Sequence, residues 1–398
     1  MTMQTIYEVF QHYLPVYLKS SKKEKQAILD IVCSVCSLHR KAAIRKFNYL
    51  GFGKRRDIRR HGRPTVYGPL VTLALKEIWE ASSEICGELL HPVIPEYVAV
   101  MKRDQQWKHS LKTEALLLKM SEGTVKARVG QFMKARHRKR GISSTSPSVL
   151  KNIIPIVTGE WNDKPPGYGQ IDTVVHCGSS LLGDMVFSVN YTDIATLWLG
   201  LSAQWNKGQL ATRESIKSIK ERLPFKLLGL HPDTGSEFIN WHLKGWCDQQ
   251  SIEMTRSRPN HKNDNAYVEQ KNGHVIRRFL GYTRFDVLET VEVINKIYLK
   301  LELYLNHFIP SRKCLQKVRI GSKYKRQYDK AQTPYTRVLK HKDINDQIKK
   351  NLEQLHHTLN PLDLKNKIDK LILELINIQR ETCLEYSREN GNPGLSEE

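Results

Sequence analysis

No stretch of eighteen or more apolar residues occurs in these 398 residues, so no segment has the length and character of a membrane-spanning helix. The first residues, Met1 to Glu8, lack the basic-then-apolar layout of a secretory signal. Cysteine is sparse: seven residues at irregular spacing make no disulfide framework and fit a reducing compartment. The expectation is a soluble cytoplasmic protein with no membrane partner. One Cys-x-x-Cys, Cys33 and Cys36 with His39 nearby, lacks a fourth zinc ligand within reach in sequence, and small residues packing in a helical turn account for it as well.

Acidic residues are also short, 41 against 63 Lys and Arg, for a formal net charge of +22. The surplus is uneven: residues 1–150 hold 27 basic side chains against 12 acidic ones. The first third of the chain therefore carries the strongest footprint for a polyanion, and nucleic acid is the first candidate. The length suits two to four domains, since one hydrophobic core seldom grows past roughly 250–300 residues.

Within residues 1–50 the apolar spacing over 23–33 reads as a helix and Ser34–Ser37 as a turn. Residues 38–47 read as a second helix that packs Ala42, Ala43, Ile44 and Phe47. Arg40, Lys41 and Arg45 stay available on it, as the recognition helix of a helix-turn-helix requires. An ordinary basic surface helix has the same pattern. Residues 51–67 are a basic linker in which Arg55, Arg56, Arg59, Arg60 and Arg63 suit an arm along phosphates or in a minor groove, or a merely solvated connector.

A second helical DNA-binding unit is expected over 68–142, ending in a helix at Thr113–Lys119, a turn, and a last helix capped by Thr124 that carries Lys126 and Arg128. Ser143–Ser148 is turn-rich and uncharged, and marks a domain boundary.

From 150 to 310 the pattern becomes short β-branched runs alternating with helical stretches. Strands are expected at 169–176, 185–192, 196–202, 226–231 and 252–256, and helices at 209–222, 240–250, 264–279 and 288–307. This order argues a mixed five-stranded sheet flanked by helices. Residues 311–398 read as a basic, irregular stretch followed by a helical tail, where Leu364, Ile368, Leu371, Leu375 and Ile378 form a stripe for dimerisation or for packing back.

Three carboxylates stand in separate motifs: Gly169-Gln170-Ile171-Asp172-Thr173, His231-Pro232-Asp233-Thr234-Gly235-Ser236-Glu237-Phe238, and Asn263-Asp264-Asn265-Ala266-Tyr267-Val268-Glu269-Gln270-Lys271-Asn272. Thirty-five residues separate Asp233 from Glu269. If the three converge, they can hold two divalent ions roughly 3.5–4 Å apart, one activating an attacking oxygen and one stabilising the leaving oxygen. Among neighbouring acids, Glu237 reads as the start of a helix, Asp193 as a turn or cap, and Asp264 as a cap.

These motifs resemble those of the transposase and retroviral integrase superfamily, and most of all bacterial insertion-sequence transposases with an integrase-type core. The resemblance implies a ribonuclease H-like catalytic fold and a catalytic, metal-binding triad of Asp172, Asp233 and Glu269. It implies Mg²⁺, with Mn²⁺ as substitute, at two ions per site. The activity implied is a transposase or integrase that binds terminal inverted repeats of double-stranded DNA, then cuts and joins strands, as a homo-oligomer on element ends and target in a bacterial nucleoid. A nuclease without joining, or a silent DNA-binding regulator, shares the same motifs. Arg258, Lys262 and Asn265 lie near Glu269 in sequence and suit contacts to DNA. Gly273 stands where related chains often have a basic residue.

Overall fold

The computed structural model describes residues 3–52, 66–133, 164–233, 235–257, 268, 271–320 and 323–389. They divide into two compact units, Met1–Val66 and Tyr67–Glu398.

The first unit is built from α1 (Met3–Lys19), α2 (Lys22–Cys36) and α3 (Arg40–Phe52). A capping box starts α2: the Ser21 backbone N–H donates to Glu24 Oε2 at 2.7 Å. Ser37, at φ 51°, ends it in the left-handed conformation and turns the chain into α3. Phe10, Val32, Ala43 and Phe47 are fully buried between the three helices, and the Tyr17 ring stacks on Phe47 at 4.1 Å. Two helices flank a turn here, but it falls at Ser37–His39: Ser34–Cys36, expected in the turn, extend α2 instead. Cys36 belongs to this core, which satisfies the packing reading of Cys33 and Cys36.

In the second unit, α4 (Pro69–Ala81), α5 (Gly87–Leu90), α6 (Ile94–Arg103), α7 (Leu111–Leu118) and α8 (Glu122–Met133) come first. Thr124 does not cap α8; Ser121 does, its hydroxyl accepting the Thr124 N–H at 3.3 Å, because the helix begins three residues earlier than the sequence suggested.

The sheet follows: β1 (Tyr168–Val175), β2 (Val186–Asp193), β3 (Leu199–Trp205), α9 (Gln209–Arg222), β4 (Gly229–Pro232), α10 (Trp241–Gln249) and β5 (Glu253–Met254). Its order is β3-β2-β1-β4-β5; β2 runs antiparallel to β1 and β3, while β4 runs parallel to β1 and β5. This is the expected mixed five-stranded sheet. Ile171, Val189 and Tyr191 pack one face against Ile216 and Ile219 of α9 and Leu243 and Trp246 of α10.

A π turn at Asn272–Ile276 leads into α11 (Arg277–Leu280), and α12 (Thr290–Phe308) follows. The other face, through Val174, Leu199, Leu201 and Ala203, shares one core with α12 and with the helices before residue 133: Leu75, Ile78 and Tyr97 are in it beside Ile294, Ile297 and Leu301. Tyr304 ties the two parts by donating to Ala81 O at 2.7 Å. The boundary expected at Ser143–Ser148 lies outside the described residues.

The open edge of β3 is covered by side chains of α12. Asn306 accepts the Leu199 N–H at 2.8 Å and donates to Leu199 O at 2.9 Å, and Asn295 does the same for Ala203 at 2.8 and 3.0 Å. Between them Glu302 accepts the Leu201 N–H at 2.6 Å, and Arg222 donates to Leu201 O at 2.6 Å. Every second residue of the edge is thus satisfied, and the strand is closed to further pairing.

The region after 311 is not irregular, as expected, but ordered. Strands β6 (Cys314–Ile320) and β7 (Lys323–Tyr328) form an antiparallel pair, followed by α13 (Pro334–Lys340), α14 (Asp346–Thr358) and α15 (Pro361–Glu389). Leu364, Ile368 and Leu375 of α15 are buried in the core that α12 shares, so the apolar stripe packs back on its own chain. Among the described residues no helix is long and apolar enough to cross a membrane.

Candidate active site

Asp172 lies in the middle of the central strand, opposite Asn190 of β2. On the other side β4 pairs Pro232 with Ile171, so Asp233, the next residue, comes level with Asp172. Parallel pairing of two adjacent strands is what brings together two carboxylates 61 residues apart. Asp172 Oδ1 accepts its neighbour's N–H, from Thr173, at 2.8 Å, and Oδ2 accepts the Asn272 amide at 2.7 Å. Asp233 Oδ1 accepts the Gly235 N–H at 2.8 Å.

Burial, and then the charge of Asp233, push the Asp172 carboxyl up to about 7, against the pull of the Thr173 and Asn272 hydrogen bonds; Glu237 adds to the rise. Two anions held this close in a partly dry site favour a proton or a cation between them.

Glu237 does not start a helix: α10 begins at Trp241, with Asn240 as its cap accepting the Leu243 N–H at 2.9 Å. Glu237 is 1% exposed, accepts the Thr173 hydroxyl at 3.0 Å and pairs with Lys207 at 2.8 Å. Gly235 makes room for it, since a Cβ there would fall 2.4 Å from Glu237 Oε2. A fourth acid thus lies within electrostatic reach of Asp172. Sequence showed it in the same motif as Asp233 but held no sign of its bond to Thr173, 64 residues away. Asp193 has the expected turn role, accepting from Thr196 N at 2.7 Å and Gly167 N at 2.8 Å.

Glu269 and Asp264 lie outside the described residues, as do Arg258, Lys262 and Asn265. Nearby in sequence, Val268 is fully buried, its N–H donating to Gln170 Oε1 at 3.3 Å, and Asn272 reaches Asp172. Arg277 is occupied with the end of β1, donating to Val175 O at 2.6 Å. Among the described residues no three His, Cys, Asp or Glu side chains are grouped to hold a metal.

Of the basic residues expected at DNA, Arg40 pairs with Asp30, while Lys41 and Arg45 are exposed on α3. Arg55, Arg56, Arg59, Arg60 and Arg63 lie outside the described residues. Lys126 pairs with Glu88, and Arg128 bonds Thr72 and, at 2.7 Å, Tyr67 O.

No family model matches the sequence. Among solved structures, the catalytic core domain of BIV integrase is similar at a TM-score of 0.29 and 16% identity, over 43% of this chain and 91% of that one. The HTLV-2 integrase catalytic core domain in complex with magnesium, a dimeric form, is similar at 0.28 and 16%, over 37% and 90%. The uncharacterized protein y4rM of Sinorhizobium fredii is 33% identical over 337 residues, which span 84% of this chain and 95% of that protein. At that identity and coverage, the chain belongs to the family of y4rM.

Proposed function

We propose that this protein is a DNA transposase whose catalytic carboxylates are Asp172, Asp233 and Glu269. The observation that carries the reading is the pairing of β1 with β4, which sets Asp172 beside Asp233 at neighbouring strand positions and raises the Asp172 carboxyl to about 7. Carboxylates whose repulsion is otherwise uncompensated suit a hard divalent cation. The three acids would hold Mg²⁺ or Mn²⁺, which when bound supplies Lewis-acid activation of the attacking oxygen and charge neutralisation at the phosphate.

The side chains then divide the work. Asp172 is held on both oxygens by Thr173 and Asn272, which fixes its carboxylate plane before substrate arrives. Asp233 is fixed by the Gly235 N–H. The substrates are element ends and target DNA, attacked first by water and then by the exposed 3′-hydroxyl, with no covalent intermediate on the protein. Lys41 and Arg45 on α3 read or grip the terminal repeats, and joining two ends calls for a homo-oligomer on DNA.

The test is nicking and joining of a supercoiled plasmid in Mn²⁺, with DNA flanking the gene as donor, comparing the wild type with Glu269→Gln. Joined products from the wild type alone are expected, with donor binding kept by the variant. Equal joining by both proteins sinks the reading; nicks that never yield joined products establish a nuclease, and donor binding without cleavage establishes a silent regulator.

A further inference from the structure

We infer that Lys207 binds a DNA phosphate beside Asp172 and Asp233, and that Glu237 is the group that positions its ammonium. The inference rests on the functional reading above and adds a substrate-binding residue to that site.

Strand direction puts Lys207 at the right end of the sheet. β2 runs antiparallel to both β1 and β3, and β4 runs parallel to β1, so the C-terminal ends of β1, β3 and β4 lie together. Lys207 follows the end of β3, and Asp233 follows the end of β4. From there Lys207 Nζ pairs with Glu237 Oε1 at 2.8 Å, and the same oxygen accepts the Thr173 hydroxyl at 3.0 Å. Thr173 in turn donates its N–H to Asp172 Oδ1 at 2.8 Å. One residue of β1 therefore links the lysine's partner to the first carboxylate.

The turn that presents Lys207 is fixed on three sides. Asn206 is left-handed at φ 57°, a conformation that persists where surrounding contacts hold it. Its N–H donates to Met185 O at 2.9 Å, its Oδ1 accepts the Met185 N–H at 3.0 Å, and its amide donates to Asp184 Oδ1 at 2.9 Å. Gly208 then opens α9.

A structural ion pair does not account for Glu237. It is 1% exposed, its Oε2 has no hydrogen-bond partner among the described residues, and it adds negative charge to a site that already holds Asp172 and Asp233. Neutral side chains of the same size would serve folding as well or better. The carboxylate does supply a fixed place for the ammonium, close to the site yet off Asp172 and Asp233, where it would compete with a bound cation. The Lys207 side chain is 34% exposed, and an ammonium has three N–H donors, so it can take a phosphate without leaving Glu237.

The experiment measures affinity of the full-length protein for donor DNA against salt concentration, for the wild type, Lys207→Arg and Lys207→Met/Glu237→Gln. Lys207→Met alone would strand a buried carboxylate and destabilise the protein for that reason. The double variant removes both charges, keeps the formal net charge of +22, and should melt at or above the wild type. One neutralised phosphate contributes about 0.9 to the slope of log K against log salt, so the double variant should flatten the slope by about 1 while Lys207→Arg keeps it. A merely structural pair would leave the slope unmoved.

If the double variant binds donor DNA with the wild-type slope, Lys207 touches no phosphate and the inference is overturned, while the functional reading stands. A flattened slope alongside equal joining by the wild type and Glu269→Gln keeps Lys207 as a DNA contact and removes the reading. A wild type without affinity for donor DNA overturns both.

Discussion

In the metal-free protein the Asp172 carboxyl titrates near 7, against 3.8 for an ordinary aspartate, because it is buried beside the charge of Asp233. The folded state therefore holds a proton at Asp172 that the unfolded chain has already released. Its contribution is fully present below pH 3.8 and is lost as pH rises through 7; over that window it works out to no more than about 4 kcal/mol. Asp172→Asn removes the titration while keeping the side chain's shape. The variant should melt above the wild type by a small margin at pH 5 and by a clearly larger one at pH 8, and Mg²⁺ should narrow the gap by stabilising the wild type alone. A wild type that gains on the variant as pH rises would contradict the raised carboxyl. At this scale the strand positions of Asp172 and Asp233 were legible, because the first interrupts an apolar run and the second ends one. Gln170, Asn190, Lys207 and Glu237 were not, because each acquires its role from contacts that no local pattern encodes. Asn272 shows the limit well: the sequence pattern marks Gly273 as a missing basic residue, while the neighbouring amide bonds Asp172 across 100 residues of chain.

At the scale of elements, α12 does two jobs with two sets of residues. Ile294, Ile297 and Leu301 bury themselves in the core, while Asn295, Glu302 and Asn306 close the β3 edge. Asn306→Leu keeps the size of the side chain but leaves the Leu199 N–H and C=O buried without partners. At about 1–2 kcal/mol for each orphaned group, the loss should be roughly 2–4 kcal/mol. It should appear as a lower urea midpoint with an unchanged slope, and a midpoint equal to the wild type's would show that water reaches the edge freely. The apolar half of α12 was legible from its period. The polar half reads in sequence as solvent-facing, since an asparagine that bonds a strand and one that bonds water look alike. The β6–β7 pair was missed for a related reason. Leu315, Val318 and Tyr328 are exposed, so among the described side chains of the two strands there is no apolar, buried alternation to read. The stripe on α15 was seen, but its partner was not: a stripe reports that something covers it and not what does.

Over the whole molecule the basic surplus is not one surface with one purpose. Some cations hold the fold: Lys126 and Arg312 share Glu88, and Arg128 reaches the Thr72 hydroxyl and the Tyr67 carbonyl. Others, such as Lys41 and Arg45, stand exposed on a helix that follows a tight turn. A polyanion rewards only the second kind, because a phosphate contact that must first break an internal ion pair returns little. Salt dependence separates the two. Each neutralised phosphate contributes about 0.9 to the slope of log K against log salt. Changing both Lys41 and Arg45 to alanine should therefore flatten the slope for donor DNA by about 2 and leave melting unchanged. Arg128→Ala should do the reverse, lowering the melting temperature while the slope keeps its wild-type value. If instead Arg128→Ala flattened the slope and the α3 pair did not, the DNA-gripping surface would lie on the second compact unit, and the three-helix unit would need another partner.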